Sequence, residues 1–200
     1  MKILIDNGHG ENTPGKRSPD GVFREYEYTR VIADEIIREM VKRGYDAERI
    51  VREDIDVPLS ERARRVNEEC GRHGATQVLL VSVHCNAAGS GAEWMKARGW
   101  CAYTSKGKTK SDDFAEMLYD EAAQNFAGHK IRKDMSDGDA DWEESFYILR
   151  KTKCPAVLTE NFFQDNKEDV SYLLSLEGRT QIVKTHVDAI IKYAIKYGKA

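Results

Sequence analysis

Val78-Leu79-Leu80-Val81-Ser82-Val83-His84 is the stretch that most limits how this chain can fold. A strand that is apolar at alternate positions needs one covered face, whereas one apolar at nearly every position needs both. This run therefore belongs at the centre of a sheet with helices above and below it. That environment is typical of parallel strands, whose connections must cross over the sheet and are usually helical.

The remainder of the sequence supplies such crossovers. Lys2 to Asp6 is a short apolar run suited to a buried strand, and Asn7-Gly8 breaks it. After a polar loop over 11–22, helical spacing runs from Glu25 to Arg43 and closes at Gly44. Further strands are expected at 45–51, 100–104, 146–149 and 156–159. Ser60 is expected to cap a helix with Leu59, Ala63, Val66 and Cys70 inward, and Ser111 or Asp112 one carrying Phe114, Met117, Leu118, Ala122 and Phe126. An acidic loop fills 128–141. Helical segments end the chain, the last over 180–197 with Ile182, Val183, Ala189, Ile190 and Tyr193 inward. The expected fold is a three-layer α/β sandwich: a twisted, mainly parallel (mixed) sheet of about six strands with helices on both faces. No repeat or linker divides it, so residues 1–200 read as one domain with no separate binding module.

Bulk properties exclude several classes. Hydrophobic content of 40% and charged content of 32% are those of a globular protein. A net charge of −3 gives no reason to expect nucleic acid, and no apolar run reaches the ~18 residues of a membrane span. Met1-Lys2 leads directly into a strand pattern, so no secretory signal is read here: either the protein is made for the cytoplasm or an upstream segment is missing from this sequence. A monomer is expected. Cys70, Cys85, Cys101 and Cys154 form no Cys-x-x-Cys pair and read as reduced thiols. Cys85 and His84, adjacent on a strand, should point to opposite faces.

In open α/β sheets, sites gather at the carboxyl ends of the strands. His9 follows the first strand between two glycines, which allow a tight turn and keep side chains away from the imidazole. His84 ends the central strand, and Glu160 follows Ala156-Val157-Leu158-Thr159. Two histidines and a carboxylate at one edge have the composition of a catalytic zinc site, which calls for a third protein ligand. The helix after the first strand offers Glu25 and Glu27. At about 100° per residue, Glu25 lines up with Tyr28, Ile32 and Ile36 on the apolar stripe, whereas Glu27 falls with Asp34, Arg38 and Lys42. A carboxylate on the buried face is costly unless paired or bound to metal, so Glu25 is the candidate.

Asp6-Asn7-Gly8-His9-Gly10, Arg24-Glu25-Tyr26, Ser82-Val83-His84-Cys85-Asn86 and Pro155-Ala156-Val157-Leu158-Thr159-Glu160 occur in that order, preceded at the last motif by Phe146-Tyr147-Ile148-Leu149-Arg150. Together they resemble the zinc-dependent N-acetylmuramoyl-L-alanine amidases of the Amidase_3 type, which cut bacterial peptidoglycan. The resemblance runs from Lys2 to about Tyr193. It implies Zn²⁺ held by His9, Glu25 and His84, with Glu160 as general base and then acid. It also implies peptidoglycan as partner and the cell wall as place of action. Tyr103 to Asp112 is similar to a stretch of phage and prophage lysins. The chain departs from the family pattern at Asn7 (commonly Pro), Cys85 (commonly Ala) and Asn161-Phe162-Phe163 (commonly Leu-Gly-Phe).

A zinc carboxypeptidase acting on stem peptides is the nearest rival, and it would want an arginine for a free carboxylate, with Arg24, Arg30 and Arg150 as candidates. A wall-binding module without catalysis is a second. His73 and His186 read as helix residues and His129 as a loop residue. Asp137 to Asp141 does not fit an EF-hand, since Trp142 and Ile148 stand where Gly and Glu are required. That loop reads as solvated, with Trp142 as a possible sugar platform.

Overall fold

The structure, a computed structural model, describes residues 1–199. Six strands form one sheet: β1 (Lys2–Asn7), β2 (Asp46–Arg49), β3 (Val78–Asn86), β4 (Cys101–Thr104), β5 (Trp142–Glu143) and β6 (Ala156–Phe163), in the order β2-β1-β3-β6-β4-β5. The helices are α1 (Glu25–Lys42), α2 (Leu59–His73), α3 (Lys110–Asn125), α4 (Tyr147–Lys151), α5 (Lys167–Leu174) and α6 (Leu176–Tyr197). Neighbours are parallel except β4 against β6, which makes the sheet mixed.

Period-2 alternation along each strand divides the core in two. Ile3, Ile5, Leu79, Val81, Val83 and Val157 face one way and pack with α1, α3, α5 and α6. Leu4, Val78, Leu80, Ala156 and Leu158 face the other and pack with Ala63, Val66 and Cys70 of α2 and Ile148 and Leu149 of α4. Covering both faces of β3 is what its unbroken apolar run demands, each fully buried aliphatic side chain contributing roughly 1.5–3 kcal/mol.

Several local expectations are corrected. The 146–149 segment is not a strand: Phe146 is extended, and Tyr147 begins α4, which lies on α2. Adjacent Ile148 and Leu149 are both buried on a one-and-a-half-turn helix, a pattern that a strand mimics. The sixth strand is instead Trp142–Glu143, which places Trp142 at the sheet edge against Tyr103 and under the Arg132 guanidinium. Pro58, not Ser60, precedes α2, and Leu59 is half exposed. Thr109 caps α3 in a capping box with Asp112. β6 continues past Thr159, so Glu160 lies within the strand and not after it.

Candidate active site

His9, Glu25 and His84 converge beyond the carboxyl ends of β1 and β3. One ligand atom from each lies within 4.8 Å of the other two. Glu25, on the first turn of α1 and 0% exposed, turns Oε1 to His84 Nδ1 at 3.3 Å and to His9 Nε2 at 3.6 Å. The same oxygen accepts a hydrogen bond from the Cys85 amide at 3.0 Å, and Oε2 accepts one from the Gln164 side chain at 3.1 Å. Helical phase thus puts Glu25 inward beside Tyr28, Ile32 and Ile36, while Glu27 is exposed.

His9 has a left-handed backbone, φ 60°. A non-glycine residue there is strained and persists only when its surroundings hold it. Its carbonyl accepts from Arg30 at 3.2 Å and from Arg62 at 3.4 Å. The flanking glycines serve a purpose other than the one read from sequence. A Cβ on Gly8 would stand 2.4 Å from the His84 ring, and one on Gly10 only 2.0 Å from the Asp56 amide. The space they leave is filled by the protein itself.

Glu160 pairs in register with His84 on the neighbouring strand, and both side chains point to the α2 side of the sheet. Register then slips by one residue, from His84↔Glu160 to Asn86↔Phe163, so β6 carries a bulge. Phe162 in the bulge also has positive φ, 64°, at the position where glycine is common in the family it resembles. Its ring is buried against Phe126, His129 and Tyr172, and Asn161 turns behind the sheet to bond the Trp100 indole and the His84 carbonyl. The departures at 161–162 therefore lie on the far side of the strand from Glu160.

A cleft of about 540 Å³ opens over these residues. His9, His84 and Glu160 lie along it, and Val57, Pro58, Leu59, Phe146, Tyr147 and Leu158 form its apolar wall. Residues 3–192 match the family Amidase_3, N-acetylmuramoyl-L-alanine amidase. The chain belongs to this family.

Relatives of this Amidase_3 chain agree with that placement. It is 29% identical over 191 residues to an endolysin of Bacillus phage SPP1, covering 94% of this chain and 64% of that protein. An N-acetylmuramoyl-L-alanine amidase of Bacillus licheniformis is 26% identical over 196 residues, which cover 96% of this chain and 68% of the other. The chain thus spans about two thirds of the length of these relatives. The crystal structure of an N-acetylmuramoyl-L-alanine amidase from Clostridium difficile 630 superposes with a TM-score of 0.83 at 22% identity, covering 99% and 98% of the two chains, which shows a shared fold.

The electrostatics of the Amidase_3 site follow from burial. Burial drives the His9 pKa down to about 4 against the pull of Glu25, leaving the neutral imidazole, the form that ligates metals. Burial also opposes charge on Glu25 and His84, but their mutual contact prevails, lowering the Glu25 pKa and raising that of His84. Glu160 is pushed up to about 7 by burial and by the Glu25 charge, with His84 opposing, and its Oε2 has no hydrogen-bond partner among the described residues. No lysine or arginine forms an ion pair with Glu25 among the described residues; the two histidines contact it, and Lys16 acts on it only at longer range. A buried carboxylate with that environment fits a divalent cation, which would supply the missing positive charge.

Sequence reasoning missed two contributors. Arg62 is 2% exposed and bonds Asp6 (1% exposed) at 2.7 Å, the carbonyls of Asn7 and Val57, and Asp56, so it ties α2 to the turn bearing His9. Its phase was readable: it precedes Val66 by one turn and Cys70 by two on the buried face. Gln164 gave no signal, because a bulge sets the direction of its side chain. His73 pairs with Glu69 at the end of α2, His186 is buried in α6, and His129 packs on Tyr172. Cys85 lies on the opposite face from His84, and all four cysteines are free.

Proposed function

We propose that this chain is a single catalytic domain that hydrolyses the amide bond between the lactyl group of N-acetylmuramic acid and L-alanine in peptidoglycan, acting on the cell wall as a monomer. The observation that carries the proposal is the convergence of His9, Glu25 and His84 beside Glu160 at the floor of one cleft in an Amidase_3 chain. The three residues would hold Zn²⁺, whose chemistry is to activate water and polarise the scissile carbonyl. Glu160, at the cleft and in register with His84, is placed to take the proton of the attacking water and return it to the departing L-alanine nitrogen. Its elevated pKa suits both halves of that role. The apolar wall of Val57, Pro58, Leu59, Phe146, Tyr147, Ile148 and Leu158 offers surface to a glycopeptide.

The carboxypeptidase alternative is less well supported. Of its three candidate arginines, Arg30 is committed to the carbonyls of His9, Tyr26 and Glu53, and Arg24 and Arg150 line other cavities; Arg62, which does line the cleft, is committed to Asp6 and Asp56.

Mass spectrometry of muropeptides after digestion with zinc-loaded protein tests the proposal. Intact stem peptides with a free L-alanine amine are expected; release of a terminal amino acid instead would overturn it. His9→Ala and His84→Ala should each lower zinc content in direct metal analysis. Retention of zinc at the wild-type level in both would remove the proposed ligand set.

A further inference from the structure

Across α4 from the catalytic cleft lies a second cavity of about 530 Å³. The helix region is a shared wall: Tyr147 and Ile148 line the cleft, and Leu149 and Arg150 line the second cavity. The two differ sharply in chemistry. Lys106, Lys110, Arg150 and Lys153 surround the second cavity, and Glu144 is the only carboxylate in its lining. None of these four exposed cations joins an ion pair among the described residues. By contrast Arg64, Arg65 and Arg72 on the outside of α2 all have carboxylate partners. In a chain of net charge −3, a concavity lined by four cations and one carboxylate, with Lys110 alone otherwise engaged, over the Tyr197 ring, is a local reversal of sign. Ser105 and Ser145 add hydroxyl donors to the same lining.

Like charges gathered in a concavity focus their field into it and attract counter-ions of opposite sign. An arginine fork and several lysine point charges are the side chains that recognise phosphate oxygens. A nucleic-acid duplex calls for a stripe of positive charge along a face; here the cations ring one hollow, which suits a flexible single polymer strand. We propose that this cavity binds a phosphodiester-bearing polyanion of the bacterial wall, holding the protein on its insoluble substrate with the cleft alongside. The wall as source rests on the amidase proposal above; the cationic cavity stands independently of it.

The test is co-sedimentation of the purified chain with bacterial walls that carry phosphodiester polymers and with the same walls after those polymers are stripped. Three proteins are compared: wild type, a cavity variant (Lys106→Glu, Arg150→Glu, Lys153→Glu), and a charge-matched control at exposed sites elsewhere (Arg38→Glu, Lys96→Glu, Lys167→Glu). Wild type and control should bind intact walls at least about tenfold more tightly than stripped walls, with affinity falling steeply as salt rises. The cavity variant should bind intact walls no better than wild type binds stripped ones, while cleaving a soluble muropeptide at the wild-type rate. Three results would overturn the proposal: equal wild-type binding to both walls, equal losses in the cavity and control variants, or tighter binding of duplex DNA than of intact walls. Charge-dependent wall binding without muropeptide cleavage by wild type would support the cavity and overturn the amidase proposal.

Discussion

Glu25 and Glu160 both sit beside His84, yet their environments push them in opposite directions. The histidine contacts hold Glu25 in its charged form, whereas burial and repulsion by Glu25 favour the proton on Glu160. That divergence is the physical basis for giving one the role of ligand and the other that of acid–base group. Glu160→Gln keeps the shape but cannot take a proton, so kcat should fall about 10²–10⁴-fold with zinc content unchanged. A rate near wild type in steady-state assays would remove Glu160 from the mechanism. A base works only unprotonated, so wild-type kcat/KM should decline as pH falls through the Glu160 pKa. That pKa is about 7 in the metal-free protein, and bound cation would move the decline lower. Gln164 argues similarly for its neighbour: by holding Oε2 of Glu25 it leaves Oε1 facing the histidines. Gln164→Met should weaken zinc affinity about 10–100-fold in chelator competition, the usual cost of losing such a supporting bond. The metal-free protein should also lose some stability, because the buried Oε2 of Glu25 is left without its donor; a lower melting temperature with unchanged zinc affinity would mark Gln164 as merely structural.

At the level of elements, the turn after β1 depends on α2 as much as on its own sequence. Arg62→Ala would leave Asp6 charged and buried, with Ser82 as its remaining side-chain partner. The expected loss of stability is about 3–5 kcal/mol, measurable by urea denaturation. This contact also shows what the sequence made legible. β1, β3, α1 and the inward faces of α2 and α3 were readable because long periodic patterns admit one solution. Glu25 was placed on the buried face by the phase that would equally have found Arg62. The 146–149 segment was not readable, since four mostly apolar residues satisfy a strand and a short helix alike. The continuation of β6 through Glu160 was hidden by a bulge whose left-handed residue is a phenylalanine and not a glycine. Its strain is held by aromatic packing from Phe126 at the end of α3, Tyr172 of α5 and His129 in the loop that follows α3, contacts that no local pattern encodes.

Across the whole molecule, acid should act through histidines buried neutral. His186 bonds the Ile182 carbonyl and the Thr159 hydroxyl, and burial lowers its pKa to about 4. The unfolded chain, with a histidine pKa near 6.5, binds more protons between those values. Stability is therefore full above pH about 6.5 and is lost as pH falls towards 4, by about 2–3 kcal/mol for such a group. His186→Gln should flatten that loss in urea titrations of metal-free protein at pH 7 and 4.5; an unchanged slope would assign it elsewhere.

The strand order has a further consequence, for the ribosome. His9, Glu25 and His84 all lie within residues 1–86, in the turn after β1, on α1 and on β3, whereas β6 brings Glu160, with Gln164 just after it, to the free edge of β3 much later. Chains fold from the N-terminus as they emerge. A nascent molecule thus gathers the three proposed metal ligands before the proposed base. The proposed base Glu160, on β6, and Gln164, just after it and a donor to Glu25, arrive together. On the amidase proposal, chemical competence and completion of the sheet coincide, and a product truncated before β6 is expected to have no activity.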